Sequence, residues 1–190
     1  MKILARLFSL WVPFPKQRRL LRNALEYVFL CSPYFNTYII SAKIKTKKCG
    51  RKLRIGGFTK FNGATYLGDY NSFNGINVIG ASKFITGDYI SGGEDILVLT
   101  QNHNYESSHI PYGPDVIKKD VIIESYVWIG SRVTILPGTK IGEGAIIQGG
   151  AVVHGEIPPY SIAGGNPAKV FKTRDIKHFE QLKKEGKFCV

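Results

Sequence analysis

A chain of 190 residues with 44% hydrophobic residues can bury the core of one domain. Its three cysteines, Cys31, Cys49 and Cys189, are odd in number, far apart and without metal-motif spacing, which excludes a disulfide framework and points to a reducing, cytoplasmic setting. The net charge of +12 lies wholly at one end: residues 1–60 hold 14 Lys/Arg and a single acid, Glu26. No nucleic-acid reader motif accompanies that charge, so it suits an anionic membrane surface or an anionic substrate, against the plainer reading of a solvated cap face.

In chain order, residues 1–50 read as a basic, partly helical N-terminal cap. Pro15 opens a helix from Lys16 to about Leu30, with Leu20, Leu21, Ala24, Leu25 and Val28 on one face and Arg18, Arg19 and Arg22 beside it. Arg22 and Glu26 break any span long enough to cross a membrane. From Ile55 an apolar residue recurs at every sixth position: Ile55, Phe61, Leu67, Phe73, Ile79 and Ile85, with Leu97 in the same register. A second run reads Ile117, Ile123, Ile129, Ile135, Ile141, Ile147 and Val153, with a small or branched residue four places after each anchor. A six-residue period is the signature of a parallel β-helix, one short strand and one turn per hexad and three hexads per triangular coil. Neither a helix nor a half-buried strand has that period. Anchors point inward and stack at the ordinary strand spacing of about 4.8 Å.

The two runs are out of phase. Leu97 and Ile117 lie twenty residues apart, three hexads plus two, so the segment from Leu99 to Val116 must loop out of the wall. It holds two of the four histidines, His103 and His109, and long loops in compact domains are commonly functional. The hexads stop after Val153. Pro158-Pro159 marks a turn, Gly164 to Lys172 a tight loop and short strand, and Asp175 to Lys184 a terminal helix with Ile176, Phe179 and Leu182 on one face. The expected organisation is a cap over 1–50, an all-β solenoid over 51–172 with its loop at 99–116, and a C-terminal helix and tail over 173–190.

Four elements then carry a resemblance: T-x-x-H from Thr100 to His103, V-W-I-G from Val127 to Gly130, I-L-P-G-T-K-I-G from Ile135 to Gly142, and P-P-Y-S-I-A-G-G-N-P-A-K from Pro158 to Lys169. In this order, beyond a phase-breaking loop, they resemble the hexapeptide-repeat acyltransferases, which include sugar and xenobiotic O-acetyltransferases. The likeness is close over residues 97–172, about 40% of the chain, and loose over the hexads from 55.

The resemblance implies a left-handed coil, a homotrimer with active sites between subunits, and acetyl-CoA as donor, with no metal. It implies that His103 is the general base, a role suited to a pKa near the working pH; His109, six residues on, is the bystander. Glu106, Asp95, Glu124 or a backbone carbonyl could orient the His103 ring. Trp128 is similar to a tryptophan near the family's active site, or is an outward aromatic covering a neighbouring subunit. Asn74 is similar to an acceptor-contacting asparagine, with Asn77 competing for that match. Family positions that contact the coenzyme fall on Ser131, Gly149, His154, Gly155, Lys169 and Lys172; the family often has Thr-Lys where this chain has His154-Gly155. The last two lysines could meet coenzyme phosphates as point charges.

The expected reaction is O-acetylation of a sugar hydroxyl in lipopolysaccharide, capsule or another surface glycan, the basic N-terminus holding the enzyme at the inner face of the cytoplasmic membrane beside a lipid-linked acceptor. N-acetylation of a nucleotide-linked amino sugar and acetylation of a small xenobiotic are the alternatives within the class. A non-catalytic solenoid is the alternative outside it. A zinc-dependent carbonic anhydrase solenoid would need three histidine ligands, and no histidine precedes His103.

Overall fold

A computed structural model describes residues 45–189. The expected N-terminal helix lies outside the described residues. Within them the chain winds as a parallel β-solenoid. The first coil is β1 (Arg54–Ile55), β2 (Thr59–Lys60) and β3 (Thr65–Tyr66), and the second is β4 (Ser72–Phe73), β5 (Ile76–Ile79) and β6 (Phe84–Thr86). The third runs β7 (Ser91–Gly92) and β8 (Ile96–Leu99), leaves the wall as a hairpin of β9 (Gln101–His103) and β10 (Val116–Lys118), and returns at β11 (Val121–Ile123). The fourth is β12 (Trp128–Ile129), β13 (Thr134–Ile135) and β14 (Lys140–Ile141); the fifth is β15 (Ile146–Ile147), β16 (Val152–Val153) and β17 (Glu156–Ile157). A sixth turn holds β18 (Ser161–Gly165), against which β19 (Ala168–Thr173) folds back antiparallel, and α1 (Ile176–Lys184) follows.

Like strands of successive coils pair in parallel and make three walls. The first wall is β1-β4-β7-β12-β15-β18-β19, the second β2-β5-β8-β13-β16, the third β3-β6-β11-β14-β17. Each hexad buries two residues, the anchor and the one two places before it: Val121 with Ile123, Val127 with Ile129, Val133 with Ile135, Ala145 with Ile147. These are the small or branched positions of the second run. Residues two apart share a strand face, so both fill the prism and the residue between them faces out.

The first run needs correction. Phe73 is followed inward by Ile76 and Val78, then Phe84 and Thr86, then Ile90, Ile96 and Val98. Ile79 is 44% exposed, and Ile85 and Leu97 lie on the outward positions of their strands. The second coil has one turn a residue short and the next two residues long, so the period slips before the loop is reached. Ile117 is no anchor either: it sits in β10 opposite Asn102 and is exposed. The extruded segment is also shifted from 99–116. Leu99 remains in the wall opposite Ile79, Thr100 is fully buried, and the chain regains the wall only at Val121.

At the edge between the third and first walls, Tyr70, Tyr89, Tyr126 and Tyr160 all turn the corner with φ between 57° and 62°. This left-handed region is uncommon for bulky side chains. Three of them stack, Tyr70 on Tyr89 at 4.8 Å and Tyr89 on Tyr126 at 5.4 Å, and Phe188 packs on the latter two. Gly144 occupies the equivalent corner of the fourth coil, and the ring of Phe179 from α1 fills the space, 3.0 Å from where a Cβ would stand. Arg174 lies over Phe179 at 4.7 Å and donates to the Gly144 carbonyl at 3.1 Å; desolvation pushes its pKa down. Lys183 pairs with Glu143 at 2.6 Å. Phe179 alone of the expected helix face is buried; Ile176 is exposed.

Asn71 is the one fully buried amide of the described core. It donates to Thr86 Oγ1 at 2.8 Å and to the Gly87 carbonyl at 3.1 Å, and accepts from Ile90 N–H at 2.8 Å. Asn71→Ala orphans buried backbone groups of the next coil, so the expected cost is roughly 2–5 kcal/mol, read as a lower urea midpoint at unchanged slope.

Candidate functional site

The hairpin is pinned at both feet. Thr100 N–H and Oγ1 both donate to the Ile79 carbonyl, at 2.9 and 3.2 Å, and the Thr100 carbonyl accepts from Lys119 N–H at 3.1 Å. Asp120 accepts from Lys83 N–H at 2.9 Å and from Ser82 Oγ, bonds that hold its carboxyl below the ordinary range. In T-x-x-H, then, the threonine seals the coil and the histidine rides three residues out on β9.

A second set of bonds braces the arm. Asp115 accepts from Ser107 Oγ at 2.5 Å and Asn104 Nδ2 at 2.6 Å, which lowers its pKa. Gly113 N–H donates to the Asn104 carbonyl at 3.4 Å. His103 pairs with Val116 across the hairpin, is exposed, and its imidazole stacks on Tyr112 with centroids 3.8 Å apart and planes 20° from parallel. None of the three carboxylates expected to orient it does so. Glu124 pairs with Lys140 at 3.4 Å, on the edge between the third and first walls. Asp95 turns the corner between the first and second walls with φ 53°. Glu106 shares the hairpin, but only its backbone N–H is engaged, by Asn104 Oδ1. His109 bonds Ser108 at 2.9 Å, away from the stack.

Four of the six expected coenzyme residues divide between the two edges of the second wall, and two lie at the end of the first. Ser131 and Gly149 stack on the edge shared with the first wall: Gly150 N–H donates to the Ser131 carbonyl at 2.9 Å, and Ser131 Oγ accepts from Glu94 N–H at 3.1 Å. A Cβ on Gly130 would lie 2.4 Å from Gly149 N, so close stacking of backbone there requires glycine. His154 and Gly155 lie on the opposite edge, the hairpin's own, exposed, with open space around Gly155 at φ 70°. Lys169 and Lys172 are exposed on β19 at the end of the first wall, and neither is in a salt bridge. One chain therefore does not gather all six around His103.

Trp128 faces outward on the first wall between Ser91 and Ile146, 56% exposed. Asn74 is exposed on the same edge as Ser131. Asn77 behaves differently: its Oδ1 is buried without a partner, beside a hollow of about 250 Å³ lined by Phe58, Gly75, Asn77, Asp95 and Leu97. Among the described residues no three His, Cys, Asp or Glu side chains come together as a metal-binding group. Sequence reasoning missed Tyr112 and Asp115; the available signal was an aromatic held between Pro111 and Pro114, with Asn104 and Asp115 placed to close a turn.

The model for bacterial transferase hexapeptide (six repeats) matches residues 120–155. Over this stretch the chain is similar to the hexapeptide-repeat transferases. A chloramphenicol acetyltransferase of Escherichia coli is 39% identical over 98 residues, covering 44% of this chain and 47% of that protein. The chain spans about half the length of the curated relatives it matches. Among solved structures, a hexapeptide-repeat acetyltransferase of Vibrio cholerae complexed with acetyl coenzyme A aligns with TM-score 0.63 at 21% identity, over 90% of this chain and 83% of that one. An N-acyltransferase from Bacillus cereus, complexed with dTDP and coenzyme A, aligns with TM-score 0.64 at 22% identity, over 73% and 78%. Likeness at this identity establishes the shared solenoid.

The depressed pKa of Asp115 gives the hairpin a pH signature. A folded-state pKa below the unfolded value stabilises above the unfolded value and is lost as pH falls through the folded one. Ser107 and Asn104 amide shifts are therefore expected to hold steady from pH 7 to the ordinary carboxylate range and to move only below it. Movement above that range would contradict the brace.

Proposed function

We propose that the chain transfers an acetyl group from acetyl-CoA to a sugar hydroxyl, with His103 as general base. The observation that carries this reading is the braced hairpin, which holds an exposed imidazole, otherwise unbonded among the described residues, on the edge of the second wall. In the reaction His103 takes the hydroxyl proton, the oxygen attacks the thioester carbonyl, the C–S bond breaks, and the proton passes to the departing thiolate.

The coenzyme fits the two edges of the second wall. Ser131 and Gly149 offer close approach to backbone, Gly155 leaves room, and Lys169 and Lys172 supply cations for its phosphates. The active site forms between subunits of a homotrimer, a reading supported by Ser131 and Gly149 lying on the other edge of the second wall from the hairpin. Trp128, outward on the first wall, and Asn74 lie on the acceptor side.

The acceptor belongs to a surface glycan such as lipopolysaccharide or capsule, and the enzyme works at the inner face of the cytoplasmic membrane. Lys45, Lys47, Lys48, Lys52 and Lys60, all exposed, support an anionic surface at the first coil. A small xenobiotic acceptor is the second reading, favoured by the 39% identity to the chloramphenicol acetyltransferase.

Thiol release from acetyl-CoA, measured with free sugars, nucleotide-linked amino sugars and chloramphenicol in turn, tests the reading. The expected outcome is acceptor-dependent release that falls about 10²–10⁴-fold in His103→Ala while the melting temperature stays put. Turnover by His103→Ala near the wild-type rate would remove His103 from its role.

A further inference from the structure

We propose that Tyr112 is the positioning residue of this site: its ring fixes the plane of the His103 imidazole. The inference rests on His103 acting as the base.

Among the described residues no hydrogen bond reaches the His103 ring; what touches it is the phenol ring of Tyr112, at 3.8 Å and 20°. A face-to-face stack of this kind covers one imidazole face and restricts rotation about both side-chain torsions, yet leaves both ring nitrogens free at the rim. One nitrogen can therefore meet an acceptor hydroxyl without first giving up a bond. A carboxylate partner, the usual orienting device for a catalytic histidine, is missing from its place here, since Glu124 and Asp95 lie on the other two edges of the prism.

Tyr112 is in turn held from behind. Gly113 is buried, and a Cβ on it would collide with Ser107 Oγ at 2.0 Å. Gly113 N–H bonds the Asn104 carbonyl, and Asn104 and Ser107 both bond the Asp115 carboxylate. The chain of contacts Asp115, Asn104 and Ser107, Gly113, Tyr112, His103 runs without a gap from the hairpin's brace to the ring that needs a fixed direction. Misplacing a base by about 1 Å can cost on the order of 10²-fold in rate, so this stack has a kinetic consequence although neither ring is buried.

The test uses the full chain and compares wild type, Tyr112→Leu and Tyr112→Phe. The first readout is the proton resonances of the His103 ring, assigned with His103→Ala. In a stack they lie in the shielding region of the phenol; Tyr112→Leu is expected to move them downfield and Tyr112→Phe to leave them near wild type. The second readout is thiol release from acetyl-CoA with the acceptor that gives the highest rate. Tyr112→Leu is expected to lower kcat by on the order of 10²-fold with the KM for acetyl-CoA unchanged, and Tyr112→Phe to recover most of the loss. Unmoved His103 resonances in Tyr112→Leu, an unchanged kcat, or an equal loss in Tyr112→Phe would each overturn the proposal. If none of the acceptors makes wild type release thiol, the acetyl-transfer reading fails by itself, and the resonances alone then decide whether the stack sets the ring.

Discussion

Everything outward on this solenoid depends on the backbone bonds between coils closing in register across an excised arm. The third coil leaves the wall after Leu99 and returns at Val121, yet β11 pairs β6 and β13 pairs β8 as though nothing intervened. Thr100 and Asp120 make that possible, one turning its N–H, carbonyl and hydroxyl onto neighbouring backbone, the other capping Lys83 and Ser82. A solenoid coil contacts only its neighbours, so an insertion closed at its base disturbs neither the coil above nor the one below. The arm is thereby free to take its shape from its own bonds.

The same closure puts the proposed site residues on edges. The inward pairs of each hexad fill the prism of the described coils with buried side chains. What remains outside is a row of corners, where glycines such as Gly130 and Gly149 keep backbone close to the surface, and one arm carrying an imidazole. The third edge is lined by its tyrosine stack and by Phe179 and Phe188. The proposed donor site uses the edges of the second wall, where Gly149 and Gly155 leave the backbone approachable.

Much of this was legible in the residues. Beyond Val121 each hexad pairs a branched anchor with a small or branched residue two places before it, with turn residues between, so period and inward face are both unambiguous. In the second coil Ile79 and Ile85 mimic anchors because they directly adjoin inward residues, Val78 and Phe84, and unequal turns carry the count across the error. Ile117 misled for another reason: it is a β-branched residue of the hairpin strand β10. His103 could be found because phase break and motif coincide on it. Tyr112 and Asp115 carried a weaker signal, the flanking prolines and the spacing of Asn104 and Asp115, and their roles arise only when the hairpin closes and brings distant positions face to face.

Replacing residues 101–118 by a short turn is the most direct test of the central claim, that the wall is the scaffold and the arm is the chemistry. The measurement is acetyl-CoA binding by calorimetry on that variant, beside thiol release and thermal unfolding. The account predicts a folded solenoid that still binds acetyl-CoA and transfers nothing. A shortened chain that still acetylates the wild-type acceptor, or one that no longer folds, would contradict it.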